Sequence, residues 1–317
     1  MDPELQMYRR DELVAKGGSQ RGIRSQVAAG DLVRLRPGVF VRWKDWKQAK
    51  PEKRIVARAR ALASVSANRP VFSHETAAAI HGLALFRPGT DRVHTIVPVE
   101  RPGAALGVIR HRGELGHDIV EIDGMLCTNL ARTVADTART MTFEQAVTIA
   151  DGALRLECVP GSGEYDLERA AAFGRTAREV AKRSAHGIAR AGRVLDFADG
   201  RAQLPGETIS RIRLRELGFR RVALQVLVPG PNGSAYYVDF EFEETLTLAE
   251  FDGTIKYIDG KMLDGRTTAD VFDREKQRED WIRGRTQRRF VRWGWPHVTT
   301  AAVLGRRLAA FGIAPPR

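Results

Sequence analysis

The stretch Ser19-Gln-Arg-Gly-Ile-Arg-Ser-Gln-Val-Ala-Ala-Gly30-Asp-Leu-Val-Arg-Leu-Arg-Pro-Gly-Val-Phe-Val-Arg42 decides the fold of the first part of the chain. Ser19 can cap a helix running to Ala29, because its hydroxyl can accept from an unpaired N–H of the first turn. Ile23 and Val27, four residues apart, give that helix one apolar side, while Gln20, Arg21, Arg24 and Gln26 point outward. Gly30 ends it. From Asp31 to Arg42, Leu32, Arg34 and Arg36 alternate with Val33 and Leu35, and Pro37-Gly38 makes a tight turn, which reads as a two-stranded hairpin. Upstream, Arg9 to Lys16 suits a short helix closed by Gly17-Gly18. Helix, turn, basic helix and basic hairpin together predict a winged helix-turn-helix, with the second helix in the major groove and the wing along the backbone.

Arginine can bind guanine and glutamine can bind adenine through paired hydrogen bonds, so Gln20, Arg21 and Arg24 are the expected base readers. Arg34, Arg36 and Arg42 are the expected phosphate contacts. Charge supports this reading. Residues 1–60 hold 15 Lys and Arg against 7 Asp and Glu, residues 61–200 hold 16 against 17, and residues 201–317 hold 20 against 15. The balances of +8, −1 and +5 put positive charge at both ends of a chain of net charge +12, as expected of two DNA-facing modules around a neutral spacer. The two cysteines, Cys127 and Cys158, have neither a disulfide framework nor zinc spacing, and no apolar stretch approaches the length of a membrane span. A cytoplasmic protein without a membrane partner is expected. Met1 to Leu5 reads as a cloning scar and is left out of the fold argument.

In the middle, helices are expected over 53–67, 131–139 and 143–156, with strands over 93–97 and 108–112. His74 and His81 share a helical face, but with no third ligand at a helpful spacing a structural role is the stronger expectation. The run Phe72-Ser-His-Glu-Thr-Ala-Ala-Ala-Ile-His-Gly-Leu83, with His111-Arg112 and Cys127-Thr-Asn-Leu-Ala-Arg-Thr-Val-Ala-Asp136, resembles the middle domain of the AbiEi-type antitoxins of type IV toxin–antitoxin systems. That resemblance covers about residues 6–200. It implies operator binding by the winged helix, transcriptional autoregulation in phage defence, and a nucleotidyltransferase toxin as partner.

Six carboxylates crowd residues 239–252: Asp239, Glu241, Glu243, Glu244, Glu250 and Asp252. Strict alternation from Tyr236 to Glu243 predicts a strand with Tyr237, Asp239, Glu241 and Glu243 on one face and Val238, Phe240 and Phe242 on the other. A turn at 243–245 and a second strand over 246–252 would bring Asp239 near Glu250, a grouping of hard oxygens that suits Mg²⁺ or Mn²⁺. This part resembles the PD-(D/E)xK nuclease superfamily, especially its very-short-patch-repair-like branch. The resemblance implies that Glu207, Asp239 and Glu250 are catalytic acids and that Asp239, Glu250 and Asp252 are metal ligands. Lysine is missing from its usual place two residues after Glu250, where Asp252 stands; Lys256 could replace it. The following helix, with Lys276 and Arg278, would hold DNA.

The expected fold is therefore an α/β multidomain protein with a winged helix-turn-helix at 6–48, an α/β middle domain at 49–200 and a restriction-endonuclease-like α/β domain at 201–317. The expected function is DNA binding with Mg-dependent cleavage of DNA phosphodiesters. The alternative is an antitoxin-type autoregulator whose nuclease-like domain is inactive and only binds DNA.

Overall fold

The computed structural model describes residues 5–98, 106–159, 164–253 and 268–315. It is a mixed α/β protein that divides into two compact units, Met1–Ala198 and Asp199–Arg317.

The N-terminal unit begins with β1 (Met7–Arg9), α1 (Arg10–Ala15), α2 (Gln20–Ala28), β2 (Leu32–Arg36), β3 (Val39–Arg42), α3 (Trp43–Gln48) and α4 (Pro51–Val65). Ser19 caps α2 by accepting from the Gly22 N–H at 3.0 Å. Ile23 is the buried residue of α2, packed with Leu32 and Phe40. The strands form an antiparallel sheet in the order β1-β3-β2. The register between β2 and β3 slips at Arg34 and Arg36, so the expected alternation fails there: Leu32 and Leu35 are both buried.

Beyond α4 come β4 (Val71–Phe72), α5 (His74–Ile80), β5 (Val93–Val97), β6 (Val108–Arg112), β7 (Ile119–Ile122) and β8 (Met125–Thr128). The helices α6 (Leu130–Thr140), α7 (Phe143–Cys158), α8 (Leu167–Lys182) and α9 (Ile188–Phe197) complete the unit. A second sheet has the order β6-β5-β4-β8-β7. The alanines of α4 explain how the two sheets share a helix. Ala57 and Ala61, four residues apart, pack on Leu35, Val39 and Val41 of the first sheet, whereas Ala59 packs on Phe72, Val93 and Cys127 of the second. Small side chains on both faces let α4 lie between them. Residues 6–48 and the segment that follows thus have a helix in common.

The C-terminal unit holds α10 (Pro205–Leu217), β9 (Val222–Pro229), β10 (Ala235–Phe242), β11 (Thr247–Phe251), α11 (Thr268–Thr286), β12 (Arg289–Trp293) and α12 (Ala301–Ala309). Its sheet order is β12-β11-β10-β9, antiparallel except for the parallel pair β11 and β12. Phe240 and Phe242 stack with Trp293 at ring-centre distances of 5.6 and 6.2 Å, and the Trp293 indole N–H donates to the Ser210 hydroxyl of α10 at 2.8 Å. In a separate cluster, Val238, Val228, Leu248 and Phe290 pack against Ile282 of α11. The N-terminus of α10 comes so close to β11 that a Cβ on Gly206 would lie 2.0 Å from the Phe251 ring. No helix among the described residues is long and apolar enough to cross a membrane.

Candidate functional site

Three groups of polar side chains stand out. The first is the exposed surface of α2 and the hairpin. Gln20, Arg21, Arg24, Arg34 and Arg42 are all exposed, and Arg42 lies over the Tyr8 ring at 5.3 Å. Arg36 departs from its expected role. The register slip turns it away from Arg34, and its guanidinium donates to the backbone carbonyls of Leu106 at 2.5 Å and Gly107 at 3.3 Å. These two bonds tie the guanidinium to the segment before β6, and burial, with Arg58 nearby, lowers its pKa.

The second group is the acid cluster of the C-terminal unit. Strand β10 pairs with β9 on both sides of Asp239, opposite Gln225, whose φ of +50° marks a local distortion of β9. The Gln225 amide lies 3.4 Å from both Glu207 Oε2 and Asp239 Oδ1, and it accepts from the Gln203 amide at 2.9 Å. Glu207, in the buried first turn of α10, also accepts from the Gln203 backbone at 2.8 Å. Asp239 Oδ2 accepts from the Phe251 backbone N–H at 2.9 Å, just past the end of the β10–β11 ladder at Phe240 and Ala249. The structure therefore brings Glu207 and Asp239 to one amide.

Glu250 is held differently. Parallel pairing sets it beside Arg292, whose guanidinium forms an ion pair with its Oε2 at 3.0 Å, and Arg278 of α11 donates to its Oε1 at 2.5 Å. Glu275 bridges the same two arginines, and Glu279 meets Arg292 at 3.2 Å. Burial pulls the pKa of both arginines down, but their carboxylate partners outweigh it and raise them. Arg278, expected to face DNA, is instead shared among Glu250, Glu275 and the Tyr237 carbonyl at 2.6 Å, while Lys276 is exposed. Asp252 is half-buried, with its backbone N–H on the Trp293 carbonyl at 2.8 Å. Lys256 lies outside the described residues.

Mg²⁺ or Mn²⁺ needs carboxylate oxygens that can turn to it. Here both Glu250 oxygens serve guanidinium groups and both Asp239 oxygens serve protein N–H groups. Nor do Asp239, Glu250 and Asp252 form a set whose oxygens all lie within 4.8 Å of one another. As arranged, the acids do not fit the ion. Sequence reasoning missed Gln225, which faces Asp239 across an antiparallel pair, and Arg292, which lies beside Glu250 on a parallel one, since neighbours on different strands carry no local spacing signal.

The third group lies in the N-terminal unit. His74, His94 and His111 offer nitrogens all within 4.8 Å of one another. The Ser73 N–H donates to the His94 carbonyl at 3.0 Å and the His94 N–H to the Thr76 hydroxyl at 2.9 Å, which locks the start of α5 to β5. Parallel pairing of Ile96 with His111 brings in β6. His94 Nδ1 and His111 Nε2 are 2.9 Å apart, and the rings of His74 and His111 stack at 3.5 Å. Burial first, then the neighbouring imidazoles, holds His74 well below its ordinary value and His94 at about 4. Burial also lowers His111 and lifts the Glu75 carboxyl to about 7. His81, for which a structural role was the stronger expectation, turns its Nε2 to the Thr128 carbonyl at 2.8 Å.

No family model matches the chain. Two proteins of Mycobacterium tuberculosis, both described as uncharacterized, are similar to it: MT2308 of strain CDC 1551 / Oshkosh and Rv2248 of strain ATCC 25618 / H37Rv. Each is 28% identical over 228 residues, which span 72% of this chain and 76% of the relative. The crystal structure of the RV2827C protein from Mycobacterium tuberculosis aligns with 61% of this chain and 76% of its own, at a TM-score of 0.34 and 13% identity.

Proposed function

We propose that this chain is a cytoplasmic DNA-binding regulator of the AbiEi-like antitoxin type, in which α1, α2 and the β2–β3 hairpin act as a winged helix-turn-helix. One observation carries the reading. Ile23 anchors α2 on the hairpin, which leaves Gln20, Arg21 and Arg24 together on its exposed side, with Arg34 and Arg42 exposed on the hairpin strands. In this reading the first three contact base edges in the major groove and the last two contact phosphates. A nucleotidyltransferase toxin is the partner that the resemblance suggests.

Titration of duplex DNA at several salt concentrations tests the proposal. Arg21→Ala with Arg24→Ala should abolish sequence preference, and Arg34→Ala should weaken every duplex and reduce the salt slope by about 1. Unchanged binding in both variants would end it. A footprint on the chain's own promoter would support the regulatory role.

A second reading, a metal-dependent endonuclease in the C-terminal unit, is favoured by the order α10, β9, β10, β11, α11, β12, with Glu207 and Asp239 meeting at Gln225. It requires Glu250 to leave Arg278 and Arg292. Nicking of supercoiled DNA with Mg²⁺ or Mn²⁺, absent with EDTA and absent in Asp239→Ala, is the result this reading demands. Without such nicking, DNA binding alone stands.

A further inference from the structure

We infer that His74, His94 and His111 form a binding site for a transition-metal ion of the zinc class in the N-terminal unit, with Glu75 as the carboxylate behind it. Neutral imidazole is the preferred ligand of such ions, and three histidines leave one coordination position for a water or a further ligand. The outward nitrogens make the argument. A ligating histidine needs its second nitrogen held by a polar group, which fixes the tautomer and the ring plane. His94 turns Nδ1 toward His111 and Nε2 toward Glu75 Oε2, 4.0 Å away. His74 uses Nδ1 on the Ser73 hydroxyl at 3.1 Å, which leaves Nε2 as its ligand atom.

Backbone strain points the same way. His74 has a φ of +51°, a left-handed conformation that is costly for a non-glycine residue and that tends to persist where a side chain must be aimed. Arg132 and Arg139 are paired with Asp136, at 2.8 and 2.9 Å, and Arg132 also meets Asp118 at 3.2 Å, which Arg183 shares at 2.6 Å. Three arginines share these two aspartates, and Glu75 is the carboxylate that faces the His94 ring. With metal–nitrogen bonds of about 2.0–2.1 Å, two nitrogens on a tetrahedral ion stand about 3.3 Å apart, so the His94–His111 gap need open by only about 0.4 Å. The His74 ring must also swing off its stack on His111.

The full chain, stripped with a chelator and dialysed, is titrated with Co²⁺ alone and then with Zn²⁺. The expected result is one equivalent of Co²⁺ with the intense visible bands of tetrahedral coordination, displaced by Zn²⁺, and a Zn²⁺-dependent rise in melting temperature. His94→Ala and His111→Ala should lose both signals, and Glu75→Gln should bind about 10–100-fold more weakly. His81→Gln should bind as the wild type does, because His81 faces Thr128. Absence of stoichiometric uptake by the wild-type chain overturns the inference, whatever the variants do. Uptake unchanged in folded His94→Ala or His111→Ala also overturns it.

Discussion

Replacing Gly206 with alanine should destabilise the C-terminal unit by about 2 kcal/mol. The added methyl would sit 2.0, 2.3 and 2.5 Å from Cε1, Cζ and Cδ1 of Phe251. Those distances fall more than an ångström short of ordinary contact, and the ring has little room to retreat. It is 7% exposed and meets the Trp295 ring edge-on at 5.0 Å. Overpacking of a closed contact costs about 1–3 kcal/mol. Alanine recovers at most about 1 kcal/mol of helix propensity, and less in the first turn of α10. A net loss of about 2 kcal/mol corresponds to a fall in melting temperature on the order of 8 °C for a unit of this size. Scanning calorimetry should resolve it as a shift of one transition. Phe251→Leu removes part of the ring, so the double variant should be more stable than the sum of the singles by at least about 1 kcal/mol. A Gly206→Ala protein that melts with the wild type, or a strictly additive double variant, would refute the packing argument.

Arg36→Ala should lower the stability of the N-terminal unit by about 1 kcal/mol in urea denaturation, because an exposed hydrogen bond to Leu106 and a half-buried one to Gly107 are lost; Arg34→Ala should leave stability alone. Cys127 is fully buried and its thiol is pushed up to about 12 by burial, and Cys158 is buried with a raised pKa, so a thiol reagent should label neither in the native chain and both after unfolding. At the Glu250 cluster, burial opposes ionisation of Glu275, but Arg278 and Arg292 prevail and hold it below the ordinary 4.5. A depressed carboxyl contributes stability above the unfolded pKa and loses it as pH falls through the folded one. Glu275→Gln should therefore flatten the acid limb of the stability curve below about pH 4.5, and an unchanged limb would show that the pair contributes nothing.

Much of the element order was legible. Alternation from Tyr236 onward marked β10, Pro37-Gly38 marked the hairpin turn, and the apolar pair Ile23 and Val27 marked the buried side of α2. What failed has a common physical cause. In Leu-Val-Arg-Leu-Arg, residues 32–36, apolar positions satisfy more than one register, and only packing against α4 selects the slip that turns Arg36 inward. The structural role expected of His81 is consistent with its contact to the Thr128 carbonyl, but the neighbours of His74 left no signal. They are His94 and His111, which arrive from two strands whose parallel pairing leaves no trace in sequence spacing. The same holds for Arg292 beside Glu250. Acids were found because they crowd together in the sequence; the cations that claim them were not, because they are distant in it.

Helix α4 limits how this chain could be cut or recombined. Its alanine faces belong to two sheets at once, so ending a fragment after Gln48 would strip the cover from Leu35, Val39 and Val41 and leave the hairpin with an open apolar side. The basic N-terminal segment is thus no portable cassette. Any exchange of its basic surface between related chains has to proceed by replacing exposed side chains on α2, with the junctions of the polypeptide left where they are.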